Sequence, residues 1–445
     1  MPYIPHTDRE RKAILKEIGV SSLEDLIGSI PASLREPKTA VSPALSELEV
    51  QKRIQFLGLK NLAVSDVLSF LGAGSYDHYI PPAVQEVAAR QEFSTAYTPY
   101  QPEASQGTLQ VIFEYQSLMA ELMGLSASNA SHYDGATSLA EAVIVALKHT
   151  DRKKILIARS LHPHYREVIG TYLNGSPCHI ETFGFARGGD FDREDFEKKL
   201  TPEVAGVVFQ TPNFLGIVED LSGIADRVHA NGSLMILSGH PLSYALYRPP
   251  GEWGADIAAG EGQPLGMPVS FGGPYLGYFV TTQALLRKIP GRIAGATEDA
   301  DGKRAFCLTL QAREQHIRRE RAASNICSNQ ALCALTACAY MTFLGKQGIL
   351  EVAELNFDRA SYLRERISKL GGFEVDLTAP IFNEFRVKSR KPFPQIEKRL
   401  MEGGIFPGVA LEPFYPELKD EFLVCATETK TREELDRFVE ALSRC

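Results

Sequence analysis

Short apolar runs rich in β-branched residues alternate with amphipathic stretches through the middle of the chain. The pattern predicts a helix over 136–148, the strand Lys154-Ile-Leu-Ile-Ala158 and a helix over 163–173. A strand over 178–183, a helix over 192–200, a strand over 204–209 and a helix over 221–230 follow. Strands over 234–237, 256–259 and 275–280 close the series. Strands separated by helices imply right-handed βαβ units and a mostly parallel sheet.

The flanks read differently. Thr7-x-x-Glu10 and Ser46-x-x-Glu49 are capping boxes that open two helices, and Gly19 can close the first. Pro31, Pro37 and Pro43 punctuate an extended arm between them. Past the sheet, 311–345 and 352–370 read as helical; strands over 373–377 and 382–387 follow. A helix over 394–401, a strand over 422–426 and a helix opened by Thr431-x-x-Glu434 complete a small α+β region. The expected organisation is a helical arm (1–60), a large α/β domain (61–330), and a linking helix with a small α+β domain (331–445).

Composition adds exclusions. A net charge of −8 over 445 residues argues against a general affinity for nucleic acid or anionic membranes. The uncharged run 322–345 carries Ser, Asn, Gln and Thr and reads as a buried helix, not a membrane span. The polar start Met1-Pro-Tyr-Ile-Pro-His6 shows no secretory signal, and the seven cysteines are scattered without C-x-x-C spacing. Reduced thiols in the cytoplasm are expected, with no zinc or redox site. His162-Pro-His164 lacks further ligands and reads as a loop, and Gly188-Gly-Asp190 as a turn.

The helical arm, parallel α/β domain and small α+β domain together resemble fold type I pyridoxal phosphate (PLP) enzymes. Such enzymes need a phosphate cup at a helix N-terminus, an acid facing the pyridine nitrogen and a Schiff-base lysine. Ser131-His-Tyr-Asp-Gly-Ala-Thr-Ser138 is the cup candidate, but Asp134 opposes a phosphate there. A plain helix start capped by Thr137 or Ser138 is the alternative. The acid position reads Ser238 and the lysine position Gln263. An amide forms no imine, and a hydroxyl does not keep the ring nitrogen protonated. Both positions are read as vestigial. A self-contained PLP enzyme would need Lys288 or Lys303, beyond the Gly272-Gly-Pro274 corner.

More specific strings follow one another along nearly the whole chain: Phe70-Leu-Gly-Ala-Gly-Ser-Tyr-Asp-His-Tyr-Ile-Pro-Pro82, Thr95-Ala-Tyr-Thr-Pro-Tyr-Gln-Pro-Glu-Ala-Ser-Gln-Gly-Thr-Leu109 and Gln210-Thr-Pro-Asn-Phe-Leu-Gly216. Thr309-Leu-Gln-Ala-Arg-Glu-Gln-His-Ile-Arg-Arg-Glu320 and Ser324-Asn-Ile-Cys-Ser-Asn-Gln330 complete the set. They resemble the glycine cleavage system P-protein, and within it the lysine-free subunit of the split glycine decarboxylase. The resemblance implies two copies each of this chain and a PLP-bearing second subunit. It also implies decarboxylation of glycine, with the aminomethyl group passed to the lipoyl arm of the H-protein.

Within that resemblance Tyr97, Tyr100 and His78 are the candidates for reaching a partner's active site, His78 as a proton carrier. Ser75, Tyr76, Gln101, Glu103, Arg313, His316, Ser324 and Asn325 are candidate substrate or cofactor contacts. The alternatives are that the tyrosines pack in an interface, that His78 caps a turn, and that Ser324, Asn325 and Ser328 cap a helix. The basic run Arg313, His316, Arg318, Arg319 and Arg321 reads either as a solvated face, partly neutralised by Glu314 and Glu320, or as an anion site. A non-catalytic scaffold that docks the carrier is the competing function.

Overall fold

The computed structural model describes residues 6–35, 42–94 and 97–445. Contacts divide the chain into two units, Met1–Leu62 and Ala63–Cys445.

In the first unit both capping boxes form. Glu10 N–H donates to Thr7 Oγ1 (3.3 Å) and Thr7 N–H to Glu10 Oε2 (2.7 Å), opening the helix Asp8–Ile18. Gly19 closes it in the left-handed region at φ 87°. Ser46 and Glu49 open Glu47–Gly58 in the same way. Pro31 precedes a single helical turn, Ala32–Arg35, while Pro37 lies outside the described residues. Leu15 is the one buried residue of these helices among the described residues. By contrast Ile54 is 62%, Phe56 61% and Leu59 86% exposed.

The second unit begins with strand β1 (Leu68–Ser69). Seven strands then form the large sheet: β2 (Ala127–Ser128), β3 (Lys154–Ala158), β4 (His179–Phe183), β5 (Val204–Gln210), β6 (Leu234–Ser238), β7 (Ile257–Glu261) and β8 (Gly277–Thr281). Their order is β2-β8-β7-β6-β5-β3-β4, with β3 to β7 parallel and with β8 and β2 antiparallel at one side. Period-two alternation explains why the central strands are apolar throughout. In β6, Leu234 and Ile236 join the cluster under the helix Gly135–Thr150, while Met235 and Leu237 join Phe183, Phe196 and Phe209 on the other face.

Two expectations need correction. The stretch 311–345 is not one helical region. Residues 311–321 form isolated short turns broken by a positive φ at Arg319, and the helix starts only at Ala331, where the uninterrupted apolar pattern begins. It continues to Ser368 with a break at Gly345 (φ 60°), absorbing the helix expected from 352. A hairpin, β9 (Ile293–Glu298) with β10 (Arg304–Thr309), and the helix Gln106–Met123 occupy segments for which no element was expected.

The C-terminal sheet has the order β11-β12-β15-β14, all antiparallel, from β11 (Phe373–Glu374), β12 (Glu384–Ser389), β14 (Val409–Ala410) and β15 (Glu421–Cys425). β13 (Ile405–Phe406) pairs in parallel with β1. That pairing carries the segment after β1 into the C-terminal core, where the Phe70 and Phe438 rings stack at 4.0 Å. Phe70 thereby fixes the start of the 70–79 segment, which crosses the functional region.

Phe70→Ala should therefore destabilise the second unit by about 3–5 kcal/mol in urea unfolding. Leu59→Ala, on a side chain 86% exposed, should stay within about 0.5 kcal/mol of the parent chain. Equal effects at the two positions would refute the assigned packing.

Candidate functional site

In open α/β sheets, ligands bind beyond the carboxyl ends of the parallel strands. Here the ends of β5, β6 and β7 place Gln210, Ser238 and Glu261 beside Tyr76, His240 and Glu384, around a cavity of only about 30 Å³. Such a space holds about one or two waters.

Its walls are held by well-made polar contacts. Gln263 is fully buried. Its Oε1 accepts from Tyr76 N–H (3.0 Å), and its Nε2 donates to the carbonyls of Tyr76 (2.9 Å) and Met267 (2.6 Å). Glu261 Oε1 accepts from the backbone N–H groups of Gln263 and Leu276, both at 2.9 Å. Its Oε2 accepts from Gly135 N–H at 2.9 Å. The exposed amides of a helix start form a ready anion site, and here a side chain of the same chain occupies it. A Cβ at Gly135 would lie 2.6 Å from Glu261 N, so nothing larger than glycine fits.

Asp134, not Thr137 or Ser138, caps that helix, accepting from Thr137 N–H at 2.8 Å. Asp134 N–H donates to Thr137 Oγ1 (3.3 Å) to complete the box, and the Ser138 hydroxyl donates to Tyr278 O (2.6 Å). The expected phosphate cup is thus closed by two carboxyl groups. Burial pushes Glu261 up to about 8 against its three backbone donors. These residues do not fit PLP: there is no amine, no phosphate seat and no space for a ring.

Beside the cavity, the 70–79 segment turns its polar groups inward. The Tyr76 hydroxyl donates to Glu384 Oε2 (2.6 Å), and Glu384 Oε1 accepts from Ala73 N–H (2.6 Å). Burial pushes Glu384 to about 7. Ser75 Oγ bonds the Tyr275 hydroxyl. His78 is 6% exposed, with Nδ1 2.8 Å from Glu428 Oε2 and Nε2 3.1 Å from His240 Nε2. Burial works to raise the Glu428 pKa, but the neighbouring His78 and the N–H of Tyr79 hold it below the ordinary carboxylate value. Burial and His78 together push His240 well below the usual imidazole range. His78 and Tyr76 therefore act inside the chain. Within this chain their side chains are already engaged, by Glu384 on β12, Glu428 just after β15 and His240 just after β6, and not turned outward.

A second group faces outward. Tyr97 is 82% and Tyr100 49% exposed, and Gln101 and Glu103 are exposed on the same loop. Arg292 Nη2 donates to the Tyr100 hydroxyl (3.3 Å), its guanidinium lies 5.4 Å from the ring centre, and His316 meets that ring edge-on at 6.3 Å. Arg292 is itself buried and also bonds Cys327 O and Asn329 Oδ1. Arg292 ties the 97–103 loop to the 316–329 segment. Sequence reasoning missed it, because a lone arginine after Pro290-Gly291 carries no motif.

Arg313 corrects the anion-site expectation at that position. Its three nitrogens donate to the carbonyls of Leu310 (3.1 Å), Gly291 (3.0 Å) and Ile289, so the guanidinium fastens a loop. The Ser324 hydroxyl donates to Glu141 Oε1 (2.7 Å), and Asn325 is exposed. Neither they nor Ser328 caps the helix Ala331–Ser368, whose N-cap is Gln330.

Glu261, Glu219 (about 7) and Glu384 all sit above the ordinary value of 4.5 through burial. An acid whose folded pKa is raised binds more protons folded than unfolded. Its contribution to stability therefore declines as pH climbs from about 4.5 to its folded value. Chemical denaturation of the second unit should show stability falling between about pH 5 and 8 on this account. Glu261→Gln should flatten part of that slope. It should also cost about 1–3 kcal/mol, because an amide nitrogen would then face Gly135 N–H. An unchanged slope would show that Glu261 titrates in its ordinary range.

Residues 1–442 match the glycine cleavage system P-protein family. A protein of Thermomicrobium roseum called probable glycine dehydrogenase (decarboxylating) subunit 1 is 49% identical over 443 residues, 99% of each chain. One of the same name from Desulforamulus reducens is 47% identical over 437 residues, 98% of each chain. The inhibitor-bound crystal structure of glycine decarboxylase (P-protein) of the glycine cleavage system superposes with a TM-score of 0.92, at 41% identity over 100% of both chains. A sphingosine-1-phosphate lyase of Burkholderia pseudomallei (TM-score 0.67, 13% identity, 93% of this chain and 94% of that one) shares the fold alone. The fold class is the α/β, fold type I transferase-like one expected, and the chain belongs to the glycine cleavage system P-protein family.

Proposed function

We propose that this chain is the coenzyme-free subunit of a cytoplasmic glycine-decarboxylating enzyme. It works with a second subunit that carries PLP, two copies of each, and the aminomethyl group passes to the lipoyl arm of the H-protein. The observation that carries this reading is the size of the cavity, about 30 Å³: a chain matching a glycine decarboxylase end to end has filled its own pocket with Gln263 and Glu261. A membership this complete with no room for the coenzyme favours chemistry completed on another chain. No helix of the described residues is long and apolar enough to cross a membrane.

The chain's own contribution is orientation. Tyr97, Tyr100, Gln101 and Glu103 present hydroxyl, amide and carboxylate groups to a neighbour. Arg292 holds Tyr100 against free rotation, which reduces the ordering cost when a substrate or neighbouring group meets it. His316 lies on the same platform. His78, bound to Glu428 and His240, fixes the 70–79 segment. The apolar side chains exposed on the first unit, Ile54, Phe56 and Leu59 among them, support a permanent partner that covers them. The scaffold reading draws on one fact: His78 and Arg313 are fully used within the chain.

Mixed alone with PLP, the chain should show no imine absorbance near ~420 nm and no adduct fixed by borohydride, and Gln263→Lys should not change this. Co-expressed with a lysine-bearing second subunit, it should support carbon dioxide exchange with glycine. A covalent PLP adduct on the isolated chain refutes the reading.

In the reconstituted enzyme, Tyr100→Phe or Arg292→Lys should lower kcat by roughly 10–100-fold, in keeping with small misplacements of positioning groups, while the subunits still assemble. If Tyr97→Phe and Tyr100→Phe both leave the rate intact, the scaffold reading takes its place. Deleting residues 1–62 should leave the second unit folded, seen by circular dichroism, and weaken association with the partner in sedimentation. Unchanged association would assign the exposed apolar side chains another role.

A further inference from the structure

Between the helix Gly135–Thr150, the turn after β8 and the 310–323 segment lies an open groove of about 530 Å³. Lys148, Arg287, Lys288, Arg313, Arg318 and Arg321 line it, against a single carboxylate, Glu320. Arg321 and Glu320 are 3.8 Å apart, and both are about four-fifths exposed. The other five cations have no ion-pair partner among the described residues. Beyond Lys148 a second open hollow of about 460 Å³ adds Arg319; its wall includes the buried Glu141, which already accepts from Ser324. The whole chain carries −8, so this excess is local and not a reflection of composition.

The shape of the groove is fixed by two of its own cations. Lys148 Nζ donates to Ala323 O (2.7 Å), and Arg313 ties Leu310, Gly291 and Ile289. Arg287, Lys288 and Arg321 are exposed at the rim, Lys288 meeting His149 Nδ1 (2.9 Å) and Arg321 only the solvated Glu320. Charges gathered around one hollow act together on whatever enters, because a ligand inside lies within about one screening length, about 8 Å at physiological salt, of the nearest of them.

We propose that this groove docks an acidic face of the lipoyl-bearing carrier protein; the proposal rests on the reading of function above and names the surface by which the carrier arrives. The groove is solvated, so a single small anion would gain little there, each exposed pair contributing about 0–1 kcal/mol. A protein face with several carboxylates engages many such pairs at once and is steered on approach. A permanent subunit fits less well, because obligate interfaces deplete charge at their core. A carrier that must arrive and leave on every turnover is served by charge that speeds encounter without locking the complex.

The test uses the assembled enzyme with Arg287→Glu, Lys288→Glu and Arg321→Glu combined; Lys148 and Arg313, which hold the walls, are left intact. Affinity for fluorescently labelled carrier is titrated directly across ionic strengths, and turnover is followed with glycine and either the carrier or neutral lipoamide as acceptor. The expected result is a loss of carrier affinity of about tenfold or more at low salt, a shallower salt dependence and a raised KM for the carrier. The KM for glycine, turnover with lipoamide and subunit assembly should stay unchanged.

Unchanged carrier affinity overturns the proposal. Loss of assembly overturns it in favour of a subunit contact, and competition by millimolar inorganic phosphate at constant ionic strength overturns it in favour of a small-anion site. Absence of glycine turnover in the parent enzyme defeats the functional reading instead, and the direct titration still decides whether the groove binds the carrier.

Discussion

A buried carboxyl group on a helix start governs this structure. The amides at the beginning of Gly135–Thr150 would attract a phosphate in any open α/β protein built this way. Glu261, the last residue of β7, reaches them first and also accepts from Gln263 and Leu276. Three donors satisfy it, so the group is tolerable in the interior despite the burial that pushes its pKa to about 8. With Glu261 in place, Gln263 is directed onto the backbone of Tyr76, and the 70–79 segment closes over the strand ends. One side chain thereby turns a binding crevice into packed interior.

That closure has a second consequence. The polar groups over the sheet no longer face a ligand; they cross-link the unit. His78 to Glu428 and Tyr76 to Glu384 join residues 350 and 308 positions apart, binding the segment after β1 to β12 and to the turn that follows β15. Buried polar pairs contribute little net stability but penalise any arrangement that leaves one member unpaired. The result is a body whose exposed chemistry lies elsewhere: the Tyr97–Glu103 loop held through Arg292, and the basic groove that Lys148, Arg287 and Lys288 form with the Arg313–Arg321 stretch.

Much of the fold could be read from local pattern. Strand Lys154–Ala158 and helix Pro163–Leu173 match expectation to the residue, since one is apolar on both faces and the other is bounded by Pro163 and a turn. The boxes at Thr7 and Ser46 are likewise local chemistry. The helix Gln106–Met123 was not among the expected elements, although Leu109, Ile112, Tyr115, Met119 and Met123 recur at helical spacing. The hairpin of β9 and β10 was hidden, because Gly295 and flanking alanines blur its alternation. At the site, the absences at Ser238 and Gln263 were legible, and their replacement by an internal network was not. Glu261 has a role only because Gly135 folds against it, a contact 126 positions away.

The same reasoning explains why so few of the candidate residues remain free to touch a substrate. A polar side chain near a closed crevice meets either a partner within the chain or the cost of lost water. Tyr76, His78, Arg313 and Ser324 each found the former. Those without such partners, Tyr97, Gln101 and Glu103, lie where solvent satisfies them until another chain replaces it. Tyr100 stands between these conditions, half exposed and half held by Arg292. A group in that state can be positioned before the encounter and desolvated during it. This combination is what a chain needs if it is to act in a pocket that it does not itself contain.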